Sequence, residues 1–219
     1  IEMDIRLSKD GVPVIIHDAT LGRTTNCKDD LEVHALSLAE LQSWDAGAWF
    51  SANYAGQRIP SLVDVLDMPR SKTKLMLELK RGPETPQKLA ARVMDTLASN
   101  HKLPDGKDIV IGCMDPAVVK ELLRYLPNQA VLGIATDSES LNDFLNLKLK
   151  NLSIRHELVT RLLAAELKAQ GCRVYIWTVD DPQEARYFAD AADGIITNTL
   201  VGGLETEQTQ RNLNPRSAL

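Results

Sequence analysis

Alternating apolar and charged positions open the chain. In residues 1–7 (IEMDIRL), every second side chain is apolar and the others are charged, which is the two-residue period of a β-strand with one buried face. The turn signal SKDG (8–11) follows, and the β-branched run VPVIIH (12–17) predicts an extended return. The chain therefore begins with a strand, a turn and a second extended segment.

From residue 61 the pattern becomes regular, because short apolar runs alternate with helical periods. Six further strands are predicted, at 74–80, 108–114, 130–136, 151–155, 173–179 and 194–198. Helices are predicted before and between them, at 61–67, 86–100, 117–126, 140–149, 156–170 and 182–191. Strands that alternate with helices over short connections are typical of right-handed parallel βαβ units.

Residues 18–60 interrupt this alternation with little periodicity beyond a short helix at LSLAELQ (36–42). We interpret them as an inserted loop or small subdomain within a domain of residues 1–200, followed by a polar C-terminal tail at 201–219. Four aromatic side chains in the insert, Trp44, Trp49, Phe50 and Tyr54, form either an exposed apolar approach surface or the insert's own core. We favour the core interpretation.

The strand count predicts the fold class. Seven principal strands are one fewer than the eight of a closed (β/α)8 TIM barrel, and we expect the missing member to be a first βα unit upstream of residue 1. The alternative is an open doubly wound sheet, but no glycine-rich phosphate loop follows any predicted strand. We therefore predict an α/β barrel with a small insertion after its first strand.

Composition narrows the functional classes. The 219 residues are 44% hydrophobic and 25% charged, with a net charge of −5, and they contain no basic stripe of the kind that binds nucleic acid. No apolar run approaches the roughly 20 residues that a transmembrane segment needs. The three cysteines are widely spaced and form no CxxC pair, so we expect a reducing, cytoplasmic compartment. Nothing in the sequence specifies an oligomeric state.

Three carboxylates are candidate ligands of a metal ion. Glu2 and Asp4 share one face of the first strand, and Glu78 and Lys80 repeat that spacing on the strand at 74–80. Carboxylates that converge in a barrel interior need a counter-charge, and a hard divalent cation with oxygen ligands would supply it. The alternative is that Glu2 or Glu78 forms a buried salt bridge with Arg6 or Lys80.

His17 ends the run VPVIIH and is followed by Asp18. It is either a structural histidine or a proton-transfer group at the end of a strand. His34, His101 and His156 lie in the insert, at a helix end and at a helix start, and they lack a comparable context.

The segment IEMDIRLSKDGVPVIIHDATLGRTTN (1–26) resembles the signature of the glycerophosphodiester phosphodiesterase family, whose members are (β/α)8 barrels of the phospholipase C-like type. The resemblance continues in LQSWDAGAWFSANYAGQRIPSLVDVL, in LMLELK, in VYIWTVDDPQEARYF and in DGIITN. It therefore extends over nearly the whole chain.

The resemblance implies a role for each matching position. Glu2, Asp4 and Glu78 match three carboxylate ligands of one divalent metal ion, Ca²⁺ or Mg²⁺. His17 matches the second of two catalytic histidines. Lys80 matches the basic residue that contacts the phosphate, and Trp177 matches an aromatic residue that lines the glycerol end of the substrate site. The implied reaction is hydrolysis of a small-molecule glycerophosphodiester to glycerol 3-phosphate and an alcohol.

Two departures and three alternatives accompany the resemblance. The family's first catalytic histidine, in a His-Arg-Gly strand, and its Pro-Glu-Asn-Thr helix entry are expected upstream of residue 1. IGCMDP stands where the family commonly has a Ser-Phe pair, so Cys113 and Met114 predict altered packing rather than lost chemistry. The alternatives are a phospholipase that acts on lipid diesters such as phosphatidylglycerol, a sphingomyelinase D relative, and a non-catalytic barrel that only binds.

Overall fold

The computed structural model describes residues 1–199, so the predicted tail at 201–219 lies outside the described residues. The chain divides into two compact units, one from Ile1 to Leu152 and one that starts at Ser153. None of the helices within residues 1–199 combines the length and the apolar character needed to cross a bilayer.

The first unit is built on a sheet of mainly parallel strands. Its strands are β1 (Glu2–Leu7), β2 (Pro13–Ile15), β3 (Leu75–Leu79), β4 (Ile109–Cys113) and β5 (Val131–Ala135). β2 pairs antiparallel with β1, while β1 and β3, β3 and β4, and β4 and β5 pair in parallel. The strands predicted near these positions are confirmed, with ends that differ by at most one residue, except that β2 ends two residues before the predicted run at 12–17 does.

The tight turn between β1 and β2 follows from its sequence. Gly11 has a φ of +77°, a conformation that side-chain-bearing residues rarely adopt. The Gly11 amide donates to the Ser8 carbonyl oxygen at 2.9 Å, and the Val12 amide donates to Ser8 Oγ at 2.9 Å. The resulting register pairs Ile5 with Ile15.

Five α-helices belong to the first unit: α1 (Leu38–Leu41), α2 (Leu62–Leu66), α3 (Pro86–Ser99), α4 (Pro116–Leu122) and α5 (Ser138–Asn146). Thr85 and Asp115 accept hydrogen bonds from the first turns of α3 and α4, and both helices begin with proline, which suits a first helical position. Helix α5 ends three residues before the predicted limit, and Lys148 just beyond it has a φ of +58°.

The insert has its own small core, but the prediction that its aromatics fill that core is wrong for three of the four. Aliphatic side chains and Cys27 occupy the interior, and Trp44 packs against them. Trp49, Phe50 and Tyr54 are 48%, 71% and 52% exposed. The aromatics stay outside because smaller buried side chains already fill the interior, namely Val14, Ile16, Leu21, Cys27, Val33, Leu41 and Ile59.

The second unit continues the alternation. Strand β6 (Asn151–Arg155) includes the boundary between the units and is followed by α6 (Arg161–Ala169), β7 (Arg173–Trp177), α7 (Pro182–Phe188) and β8 (Gly194–Ile195). β7 and β8 pair in parallel. Strand β8 is shorter than the predicted 194–198, because Asn198 instead donates from its main-chain and side-chain nitrogens to the Asp180 carboxylate.

The single helix predicted at 156–170 is wrong at its first turn. Residues His156–Leu158 form a 3-10 turn, and Val159 is extended. Thr160 then caps α6 by accepting a hydrogen bond from the Leu163 amide at 3.1 Å. A capping threonine inside a helical period starts a new helix there.

Candidate functional site

The three predicted carboxylates come together in the first unit. Parallel pairing of β1 with β3 places Asp4 opposite Glu78, and Glu2 lies two residues before Asp4 on the same face. One ligand oxygen from each of Glu2, Asp4 and Glu78 lies within 4.8 Å of the others. We call these three residues the carboxylate cluster.

The carboxylate cluster carries more negative charge than its surroundings compensate. Glu2 Oε1 is buried and has no hydrogen-bond partner among residues 1–199. Burial, followed by the charges of Asp4 and Glu78, raises the pKa of Glu2 to about 7. Burial also raises the pKa of Glu78, although Lys80 opposes that rise. An orphaned oxygen among three converging carboxylates fits a hard divalent cation.

Lys80 supplies part of the counter-charge. Its Nζ lies 2.5 Å from Glu78 Oε1 and 3.2 Å from Asp4 Oδ1. Burial alone lowers the pKa of Lys80, but the hydrogen bond to Glu78 and the charges of Glu78 and Asp4 outweigh it and raise the pKa. Glu78 therefore forms the salt bridge that the alternative considered, in addition to its place in the carboxylate cluster. This salt bridge does not account for Glu2.

Arg6 makes different contacts from those considered in the sequence. Its Nε donates to the His17 carbonyl oxygen at 2.9 Å, and its Nη1 donates to the Arg81 carbonyl oxygen at 2.9 Å. The guanidinium therefore joins the residue just beyond β2 to the residue just after Lys80. No sequence signal distinguishes this bridging role from that of an ordinary charged strand residue.

His17 lies just beyond β2 with a side chain that is 61% exposed. Its Nδ1 is 2.7 Å from Asp18 Oδ1. The amide of the preceding residue, Ile16, donates to the Asp4 carbonyl oxygen at 3.0 Å, so the main chain at His17 lies beside β1, the strand that contributes two of the three carboxylates. The structure thus brings His17, Lys80 and the three carboxylates into one region.

Sequence reasoning did not assign a role to two further residues. Arg23 contacts both oxygens of Asp18, through Nε at 2.5 Å and Nη2 at 2.7 Å. These hydrogen bonds, together with that from His17, hold the pKa of Asp18 well below its usual range despite partial burial. Because Asp18 directly follows His17, the sequence could have indicated the contact between them. The spacing of five residues between Asp18 and Arg23 gives no such indication.

Trp177 lies in the second unit, at the end of β7. Its indole Nε1 is buried and has no hydrogen-bond partner within the described part of the chain. The role at the glycerol end that the resemblance implies for Trp177 stays a prediction.

Cys113 occupies the position at which the sequence departs from the family pattern. It is buried at the end of β4, and its Sγ donates to the Leu79 carbonyl oxygen at 2.9 Å. Burial raises the pKa of the Cys113 thiol to about 12, so the thiol remains protonated near neutral pH. A buried protonated thiol is a poor nucleophile, whereas altered packing relative to the family at Cys113 and Met114 stays a prediction.

The exposed aromatic residues of the insert form a contiguous group next to Arg23. Ring centroids of Trp49 and Phe50 are 5.8 Å apart, and those of Phe50 and Tyr54 are 5.7 Å apart. The Arg23 guanidinium carbon lies 6.0 Å from the centroid of Trp49. We call Trp49, Phe50 and Tyr54 the aromatic surface.

Comparison with known proteins identifies relatives of the chain. The profile of the glycerophosphoryl diester phosphodiesterase family matches residues 1–201. The candidate glycerophosphodiester phosphodiesterase YhdW of Bacillus subtilis (strain 168) is 30% identical over 207 residues, covering 90% of this chain and 82% of that protein. A glycerophosphodiester phosphodiesterase of Caldanaerobacter subterraneus subsp. tengcongensis is 28% identical over 207 residues, covering 90% and 81%.

Solved structures show the same fold. An Oleispira antarctica phosphodiesterase in complex with the product sn-glycerol-3-phosphate superimposes with a TM-score of 0.78 at 24% identity, covering 97% of this chain and 84% of that one. A glycerophosphodiester phosphodiesterase from Agrobacterium tumefaciens str. C58 gives 0.71 at 25% identity, covering 90% and 83%. The predicted α/β fold of the TIM-barrel class is confirmed, and the doubly wound alternative is wrong.

Proposed function

Because the chain belongs to the glycerophosphoryl diester phosphodiesterase family, we propose that it hydrolyses glycerophosphodiesters to sn-glycerol 3-phosphate and an alcohol. The observation that carries the proposal is the carboxylate cluster, with its orphaned Glu2 oxygen, beside Lys80 and His17. The relative from Oleispira antarctica with sn-glycerol-3-phosphate bound supports the same product.

Glu2, Asp4 and Glu78 would hold one divalent cation, Ca²⁺ or Mg²⁺, since both prefer carboxylate oxygens. When bound, that cation neutralises the phosphodiester and stabilises charge that develops during its cleavage. Glu2 has to lose its proton before it can serve as a ligand, because its pKa is raised to about 7.

Lys80 provides the second positive charge. Its ammonium has three donors, and two carboxylates, Glu78 and Asp4, contact it. A phosphate oxygen that accepts from Lys80 is therefore held next to the carboxylate cluster. This contact orients the substrate and stabilises negative charge in the transition state.

His17 is the proposed proton-transfer group. An imidazole at this position can deliver or remove a proton at the scissile oxygen, an effect typically worth about 10²- to 10⁴-fold. Trp177 is proposed to line the glycerol end, as the family resemblance implies. We also propose a cytoplasmic location, which the buried thiols of Cys27 and Cys113 support.

The test of this function combines metal binding with turnover. Purified protein is stripped of metal and titrated with Ca²⁺ or Mg²⁺ in a calorimeter, and release of glycerol 3-phosphate from glycerophosphocholine is then assayed. Asp4→Asn should lower both metal affinity and turnover at least tenfold. Asp143→Asn, an exposed carboxylate on α5, is the matched control. Parent-like metal affinity in Asp4→Asn would contradict the proposed ligand set.

The aromatic surface favours a second candidate, a phospholipase that acts on lipid diesters at a bilayer. Aromatic side chains with exposures of 48%, 71% and 52% suit a membrane interface. Phosphatidylglycerol vesicles and glycerophosphocholine are compared as substrates for the parent and for Phe50→Ser. A vesicle activity that falls at least tenfold in the variant, with glycerophosphocholine turnover unchanged, would establish the lipid substrate. Equal turnover of vesicles by both proteins would exclude a role for the aromatic surface.

A further inference from the structure

The ring of His17 is held at one of its two nitrogens. Nδ1 lies 2.7 Å from Asp18 Oδ1. Asp18 is ionised at neutral pH, because its hydrogen bonds hold its pKa below the usual range, and an ionised carboxylate only accepts hydrogen bonds. The Nδ1 atom must therefore carry the proton that it donates to Asp18. In the neutral ring, Nε2 is left as the unprotonated nitrogen.

Asp18 is itself fixed from a second direction. Arg23 donates to Oδ2 from Nε at 2.5 Å and to Oδ1 from Nη2 at 2.7 Å. Two parallel donors from one planar guanidinium set both the position and the plane of the carboxylate. The Arg23 guanidinium also lies over the Trp49 ring, with its carbon 6.0 Å from the centroid. Four side chains are therefore linked in order, from Trp49 through Arg23 and Asp18 to His17.

We propose that Asp18, held by Arg23, is a positioning residue that fixes the tautomer and the orientation of His17. Its effect on catalysis rests on the proposed function, whereas its effect on the tautomer does not. A histidine that transfers protons needs one defined nitrogen directed at the substrate. With Nδ1–H committed to Asp18, Nε2 is the atom available to accept or return a proton. Asp18 itself takes no proton, in the way that a carboxylate orients histidine in other hydrolases.

The first experiment measures the tautomer of His17 directly and does not depend on catalytic activity. Imidazole ¹⁵N resonances are recorded on the metal-free protein, and the His17 signals are assigned by their loss in His17→Gln. The parent should show His17 with the proton on Nδ1. In Asp18→Asn, the amide nitrogen can donate to Nδ1, so the proton should move partly or wholly to Nε2. A parent-like tautomer in Asp18→Asn overturns the proposal.

The second measurement is kinetic. Asp18→Asn should lower kcat for glycerophosphocholine by 10- to 1000-fold and change KM by less than threefold, because tautomer and orientation act on proton transfer. Arg23→Gln should give a smaller loss of kcat, and Arg23→Lys a smaller loss again, since the lysine ammonium keeps the positive charge and can still donate to Asp18. A parent-like kcat in Asp18→Asn also overturns the proposal.

A matched control separates this effect from the loss of any histidine–carboxylate pair. His34 Nε2 lies 3.1 Å from Glu32 Oε2 on the exposed surface of the insert. Glu32→Gln should leave kcat unchanged, and a loss as large as that in Asp18→Asn would overturn the proposal. If a thermal melt shows that Asp18→Asn is not folded, the ¹⁵N and kcat measurements are made on Arg23→Lys instead, and they decide the proposal. If the parent releases no glycerol 3-phosphate, the proposed function fails, but the ¹⁵N measurement still decides whether Asp18 fixes the ring.

Discussion

Arg6 donates a hydrogen bond from Nε to the main-chain carbonyl oxygen of His17 at 2.9 Å. Its Nη1 donates to the carbonyl oxygen of Arg81, also at 2.9 Å. Because Lys80 directly precedes Arg81, one guanidinium sets the main-chain separation between the proposed proton-transfer group and the proposed phosphate contact. Catalysis depends steeply on such separations.

Arg6→Met should therefore impair both stability and turnover. The variant loses two charge-assisted hydrogen bonds at a half-buried position, so we expect the free energy of unfolding to fall by about 2 kcal/mol. We also expect kcat to fall about tenfold, because His17 and Lys80 are no longer held at a fixed separation. Urea denaturation and steady-state kinetics measure the two effects.

Two comparisons make the Arg6 prediction specific. Arg6→Lys cannot reach both carbonyl oxygens with one ammonium group, so it should recover only part of the stability. Arg124 pairs with Glu121 at 3.1 Å on the surface, and Arg124→Met should change stability by less than about 1 kcal/mol. Equal effects of Arg6→Met and Arg124→Met would show that the bridge is unimportant.

Glu2→Gln should change how the stability of the metal-free protein depends on pH. The pKa of Glu2 is raised from 4.5 to about 7 in the folded protein, so between these values the folded state binds more protons than the unfolded state. Its contribution is complete below pH 4.5 and is lost as pH rises through 7, a total of about 3 kcal/mol. Glutamine mimics the protonated form at every pH, so Glu2→Gln should be the more stable protein at pH 8.

Denaturation of the metal-free parent and of Glu2→Gln between pH 4 and pH 8 tests this sign. The two stability curves should converge at low pH and separate as pH rises. A separation that grows instead toward low pH would mean that Glu2 is stabilised as a carboxylate. Saturating Ca²⁺ should make the parent the more stable of the two proteins at pH 8, because only the parent then has all three carboxylate ligands.

Lys80→Met should strengthen metal binding while it weakens the metal-free fold. Lys80 now compensates Glu78 and Asp4, and all three side chains are at most 15% exposed. Removing the ammonium leaves both carboxylates without that partner, which should cost about 3 kcal/mol of stability in the absence of metal. A bound cation replaces the lost charge, so calorimetry should show tighter Ca²⁺ binding than in the parent. Weaker binding would mean that Lys80 does not compete for the carboxylates.

His17→Ala should lower kcat far more than it raises KM, because a proton-transfer group acts mainly in the transition state. We expect a loss of about 10² to 10⁴ in kcat. His34→Ala is the matched control, since His34 is also exposed and paired with a carboxylate, and it should be nearly silent. A His17→Ala variant with parent-like kcat would remove His17 from the mechanism.

The strands and the carboxylate cluster could be predicted because both depend on short-range patterns. Alternation in residues 1–7 fixes which side chains share a face, and parallel pairing then brings Asp4 opposite Glu78. Helix ends were predicted less well. Thr160 and Lys148 end or restart helices through local capping and backbone conformation, which a hydrophobic period does not register.

The contacts of Arg6 and Arg23 could not be predicted from the sequence. Each depends on where a loop places a carbonyl or carboxylate oxygen, as the Arg6 contact with the Arg81 carbonyl shows. The prediction that Trp49 and Phe50 are buried in the core of the insert is wrong for a similar reason. Composition shows that the insert has enough apolar side chains for a core, but packing decides which of them occupy it.

The turn at residues 8–11 has a consequence for evolution as well as for folding. Its length fixes the pairing of Ile5 with Ile15, and His17 lies two positions beyond Ile15. Adding one residue to the turn would shift β2 by one position and direct the His17 side chain to the opposite face. Related proteins with a different turn length would then need a compensating change before β2 ends. A surface loop thus restricts which insertions and deletions are compatible with the position of His17, the proposed proton-transfer group.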